Sequence, residues 1–158
     1  MLDTAKPLSS VQLPAKEYDA IFSPGCQGPL IGLPENADSS KVTRTFFEDG
    51  RIVAAICHAR AVLTEVRLSD GSNLVEGRKV TRMSNKEEQA WGRVDYVPFL
   101  VQTRLGERGG EFIEGKQLWG EHVVVDRDSQ GRTLITGANP SSGSRLAEEI
   151  IKAIGSTE

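Results

Sequence analysis

Cysteine is scarce in this chain: Cys26 and Cys57 are the only two in 158 residues. Two thiols cannot build the disulfide framework of a small secreted domain, and no Cys/His group has zinc-finger spacing. Long apolar runs are missing altogether. A membrane helix needs roughly 18 consecutive apolar residues, and no such run occurs, so an integral membrane protein is not expected. The opening MLDTAKPLSS lacks a basic stretch followed by an apolar one, so nothing argues for secretion. Excess positive charge is lacking too: 19 Lys and Arg stand against 22 Asp and Glu, a net charge of −3. That balance supplies no attraction to nucleic acid or to an anionic membrane surface. A reducing, cytoplasmic setting is the default.

What is present suits one packed domain. Hydrophobic residues make up 38% and charged residues 26%, enough apolar surface for a core and too much for wholesale disorder. Residues 1–16 hold Pro7 and Pro14 and read as an N-terminal arm, ahead of a single domain over 17–158. Tyr18 to Phe22 reads as a strand stopped by Pro24-Gly25. Asp38 or Ser39 is placed to cap a helix that runs to about Asp49 and stops at Gly50. Ile52 to Ile56 is continuously apolar, as in a parallel strand buried on both faces. A helical stretch through about Val66, a weaker strand from Lys79 to Met83 and a short helix capped by Asn85 follow. Pro98 opens another helix, His122 to Val125 and Thr133 to Thr136 form a hairpin, and a closing helix carries Leu146, Ile150, Ile151 and Ile154. Alternating strands and helices predict an α/β sandwich.

The most informative segment is IVAAICHARAVL, residues 52–63. A buried strand ends in Cys57 and a helical stretch begins at once, the layout of a nucleophile elbow. A helix N-terminus behind the sulfur would lower the thiol pKa from its free value of about 8.5. A buried structural cysteine is the bland alternative.

AAICHARAVL resembles the AAxCHGPxxL elbow of the ThiJ/PfpI superfamily, which has the class I glutamine amidotransferase-like fold. Four more segments are similar to family segments, in the same order: YDAIFSPGCQGPL, GRKVTRMSNKEE, DYVPFL and the stretch ending TGANPSS. The resemblance points to the glyoxalase III and heat-shock chaperone branch, whose members convert methylglyoxal to lactate without a cofactor. It implies that Cys57 attacks the aldehyde carbon, that His58 shuttles protons and that Glu88 orients the imidazole. The turn at Gly25 and Cys26 would bind the oxyanion with its amides. No cofactor and no metal are implied. The implied fold is a flavodoxin-like sandwich, its mostly parallel sheet set between helices.

Several features depart from the family pattern. The family's first βαβ unit, with a glutamate that partners the cysteine, has no counterpart ahead of Tyr18; the acids there, Asp3 and Glu17, sit in no recognisable motif. PGGHG is PGCQG here, which places Cys26 and Gln27 at the turn; CHGP is CHAR, which introduces Arg60; VTGF is VTRM, which introduces Arg82. Both arginines would either face solvent or line the pocket mouth, where guanidinium suits a carboxylate or phosphate. Cys26 is either an inert buried residue or a second thiol near Cys57. His122, Trp91 and Trp119 read as structural.

Two functional classes follow. One is a cysteine-dependent lyase or hydratase acting on a small activated carbonyl, weakened or repurposed for another substrate. The other is a degenerate, non-enzymatic member serving as a chaperone-like or interaction module. An unprotected edge strand at Tyr18 to Phe22 favours a homodimer.

Overall fold

The computed structural model describes residues 5–11, 17–81 and 83–156. Arg82 and most of the N-terminal arm lie outside the described residues. In chain order the strands are β1 (Ala20–Ser23), β2 (Ile52–Ile56), β3 (Lys79–Val80), β4 (Glu111–Phe112), β5 (Val123–Arg127) and β6 (Thr133–Gly137). The α-helices are α1 (Ala37–Glu48), α2 (Asn85–Trp91), α3 (Val101–Glu107) and α4 (Gly143–Gly155).

Continuous apolarity puts β2 inside the main sheet, whose order is β1-β2-β6-β5. β2 is parallel to both neighbours, with Phe22 opposite Ala54 and Ala54 opposite Ile135. β5 closes the other edge as the antiparallel arm of the expected hairpin. All five residues of β2 are buried, and they alternate between two cores. Val53 and Ala55 face Val42, Phe46 and Phe47 of α1. Ile52, Ala54 and Ile56 face Leu146 and Ala153 of α4. Helices therefore cover both faces of a mostly parallel sheet, the flavodoxin-like sandwich expected. β3 and β4 form a separate two-stranded parallel pair.

Several boundaries differ from the sequence reading. β1 is Ala20–Ser23, not Tyr18 to Phe22. Asn36 caps α1, its side chain accepting from the Ser39 amide at 2.8 Å, and Asp38 instead sits in the first turn, where an acid suits the helix dipole. Ser84 caps α2 through a reciprocal box with Glu87; the signature Ser-x-x-Glu starts one residue before Asn85. α3 begins at Val101, three residues after Pro98. The strand expected over Lys79 to Met83 keeps only two residues of ladder. Ile151 is 70% exposed, because at 3.6 residues per turn it points away from the stripe of Leu146, Ile150 and Ile154.

Candidate active site

β1 and β2 are parallel neighbours, so the turn after β1 and the elbow after β2 emerge side by side at the carboxyl end of the sheet. Ligand sites of open α/β sheets form there. Ile56 is still extended at φ −127°, and Cys57 breaks to φ 55° before a 3₁₀ segment, Cys57–Glu65. A positive φ on a non-glycine residue is a strained state that packing must hold. The turn opposite needs glycine for a different reason. A Cβ on Gly25 would stand 2.9 Å from the Cys57 Cβ and 3.3 Å from the Ile56 carbonyl oxygen.

Three side chains form a continuous polar line under the elbow. Cys57 Sγ lies 3.4 Å from His58 Nδ1. His58 Nε2 lies 2.8 Å from Glu88 Oε2. Cys57, His58 and Glu88 are all buried. With Nε2–H donating to the carboxylate, Nδ1 is left as the acceptor for the thiol proton, which fixes the tautomer a proton shuttle needs. The backbone turn at Cys57 brings the adjacent ring back to the sulfur. Glu88 comes from the first turn of α2, and its second oxygen, Oε1, is buried without a hydrogen-bond partner among the described residues.

Glu87 anchors this helix. Its carboxylate accepts from the Ser84 amide, the Trp119 amide and Asn139 Nδ2. These bonds hold its carboxyl below the usual range although burial works against ionisation. Glu87 and Glu88 are thus buried and hydrogen-bonded at the start of α2.

Electrostatics at the sulfur depart from the sequence expectation. Burial is the largest influence and pushes the Cys57 thiol up. The Arg60 guanidinium and the His58 backbone amide pull it down, and Glu88 and Glu87 add to the upward push. A 3₁₀ segment in a desolvated setting does not produce the lowered pKa expected of an elbow helix.

The sulfur opens onto a cavity of about 370 Å³ lined by Gly25, Cys26, Gln27, Ile56, Cys57, His58, Trp91 and Pro140. The predicted residues of the PGCQ turn are therefore gathered at one mouth. Gln27 Nε2 is shielded from solvent and has no hydrogen-bond partner among the described residues, which leaves a donor available beside the sulfur. Cys26 is exposed, not buried as its inert reading required.

Arg60 is neither at the mouth nor in solvent. It is fully buried, with Nε donating to the Cys57 carbonyl at 2.8 Å and Nη2 to the Ala138 carbonyl at 2.9 Å. Its role is to brace the elbow against the end of β6.

Trp91 was read as packing, yet it walls the cavity with its ring 6.1 Å from that of His58 and edge-on to Trp119. Only the contact between α2 and the elbow reveals this. His122 keeps its structural reading, its Nε2 lying 3.2 Å from the Ile113 carbonyl. Among the described residues no group of His, Cys, Asp and Glu is arranged to hold a metal ion, and no helix is long and apolar enough to cross a membrane.

The chain belongs to the DJ-1/PfpI family, whose model matches residues 5–153. It is 30% identical over 146 residues to glyoxalase 3 of Candida albicans, a match covering 89% of this chain and 60% of that protein. It is also 30% identical over 148 residues to the protein/nucleic acid deglycase HchA of Escherichia coli, covering 89% of this chain and 49% of that one. The crystal structure of a 24 kDa rapid encystment protein from Francisella tularensis superposes with a TM-score of 0.83 at 32% identity, covering 94% of this chain and 63% of that one. The chain thus spans roughly half to two thirds of the length of these proteins.

Proposed function

We propose that this chain is a cysteine-dependent, cofactor-free lyase or hydratase of glyoxalase type that converts a small α-oxoaldehyde such as methylglyoxal to its hydroxy acid. The observation that carries this reading is the buried line Sγ–Nδ1–Nε2–Oε2, with spacings of 3.4 and 2.8 Å, opening onto one cavity. Cys57 gives its proton to His58 Nδ1 and its sulfur bonds to the aldehyde carbon; the oxygen of that carbon takes the proton from His58, which completes the hemithioacetal and leaves the imidazole neutral. His58 then removes the hydrogen on that carbon and returns a proton to the neighbouring carbonyl carbon, which leaves a hydroxyacyl thioester. Water cleaves the thioester, releasing lactate and the thiol. The net reaction adds one water and needs no redox partner. Glu88 stabilises the imidazolium formed in the first step. The Gly25 and Cys26 amides and the Gln27 amide side chain take the developing oxyanion.

The two relatives' names, a glyoxalase and a deglycase, support carbonyl chemistry of this kind. The deglycase name also removes the ground for excluding a carbonyl carried on nucleic acid, which charge alone had suggested. With Arg60 buried, the anionic substrate it implied loses its support, and a small neutral carbonyl fits best. Burial, which pushes the Cys57 thiol up, works against thiolate formation, so the reaction relies on the proton passing to His58.

The test is to supply methylglyoxal in heavy water and follow lactate by NMR. Deuterium on the second carbon of lactate would mark a proton transfer through His58, and His58→Ala should abolish lactate formation. No lactate above the buffer rate from folded protein would overturn the reading, and a His58→Ala variant as fast as wild type would overturn the His58 step. The second reading, an interaction module, is favoured by an apolar hollow of about 290 Å³ beside β1, lined in part by Leu8, Ile21, Phe22 and Val42. Suppression of client aggregation that persists in Cys57→Ala, without any lactate formation, would decide for it.

A further inference from the structure

The carbonyl chemistry leaves one reactive group in the cavity unused, the Cys26 thiol. Cys26 and Cys57 are the chain's only cysteines, and both line this cavity. Cys26 is exposed and Cys57 is buried. Their two loops are in contact through Gly25, where a Cβ would fall 2.9 Å from the Cys57 Cβ. The Cα of Cys26 follows one trans peptide further along, about 3.8 Å from that of Gly25. A disulfide asks for Cα atoms about 4.4–6.8 Å apart, and the two loops that would supply them pack against each other at this cavity. Cys26 also holds φ 142°, a conformation in which glycine is the usual occupant.

We propose that Cys26 and Cys57 form a reversible redox pair in which hydrogen peroxide closes a disulfide across the cavity. The exposed Cys26 reacts first: its sulfur takes one oxygen from peroxide, giving a sulfenic acid and one water. Cys57 then passes its proton to His58 Nδ1 and its thiolate attacks the Cys26 sulfur. The S–O bond breaks, and the departing hydroxide takes the proton from His58 as a second water. Two thiols are oxidised by two electrons, and one peroxide is reduced to two waters. Cys57 is then sequestered as a disulfide and protected from irreversible oxidation until a thiol reductant reopens the bond.

Disulfide formation is independent of carbonyl turnover, so the test reads mass and not activity. The folded chain is treated with stoichiometric hydrogen peroxide, alkylated and digested with trypsin without reduction. Free thiols should fall from two to none, and the peptides of residues 17–41 and 52–60 should appear joined. Dithiothreitol should restore both thiols. In Cys26→Ser, whose fold is checked by circular dichroism, no cross-link forms and Cys57 should instead accumulate sulfinic or sulfonic acid at higher peroxide. The proposal is overturned if wild-type Cys57 gains oxygens while Cys26 still alkylates. It is equally overturned if both thiols survive, or if the cross-link joins two chains.

Discussion

Cys57 and Arg60 share one design problem. The elbow buries a thiol that the proposed reaction requires to ionise, and burial raises its pKa. The nearby guanidinium of Arg60 acts in the opposite direction while its hydrogen bonds hold the elbow backbone. Wild-type Cys57 should therefore alkylate with iodoacetamide along a pH profile whose midpoint lies above the ordinary thiol value. Arg60→Met should move that midpoint higher and lower the stability by about 3 kcal/mol, since two buried charged hydrogen bonds are lost. An unmoved midpoint would remove Arg60 from the account. The sign for folding follows. The folded thiol holds its proton more tightly than the unfolded one, so stability is unaffected well below the unfolded pKa and falls as pH rises past it. In the proposed reaction Glu88 acts through His58. Glu88→Gln should lower kcat about 10²–10⁴-fold, the range of general acid–base help, while substrate KM changes little. A variant as fast as wild type would show that the 2.8 Å contact is only structural.

At the scale of elements, α4 covers one face of the sheet with a narrow stripe. Leu146 is 1% exposed and Ile151 70%, two apolar residues of one helix. Leu146→Ala should cost about 2–5 kcal/mol in urea unfolding, and Ile151→Ala about 0.5 kcal/mol or less. Equal costs would mean that the helix is rotated from the orientation described. This helix also shows what sequence reveals. Its existence was legible from the spacing of Leu146, Ile150 and Ile154, but not the exclusion of Ile151, since phase depends on which face meets the sheet. The elbow was legible because an apolar run breaks directly into Cys57-His58. Glu88 was legible only through the family resemblance, because adjacent acids at a helix start look like surface charge. Glu87 is held by Trp119 and Asn139 and Glu88 by His58, all distant in the chain. Arg60 was misplaced for a related reason: arginine is rarely buried, and the two carbonyls that hold it are set by the tertiary fold.

For the whole molecule, the β1 edge bears on assembly. Among the described residues β1 pairs only with β2; Phe22 is 45% exposed and Tyr18 49%, and Phe22 lines the apolar hollow. No proline interrupts β1 and no charge lies within it, so little opposes pairing with another strand. We propose that a second copy docks there in a two-fold dimer. Light scattering at micromolar concentration should give twice the chain mass for wild type and the single mass for Phe22→Lys. A wild-type monomer with a cooperative melt would contradict this.

The central claim is that Cys57 is the nucleophile of a weak carbonyl lyase. The most direct measurement is lactate formed from methylglyoxal by wild type and by Cys57→Ala at equal, folded concentrations. Slow formation by wild type that disappears in Cys57→Ala is the predicted result. Lactate formation at the same rate by both proteins would contradict it.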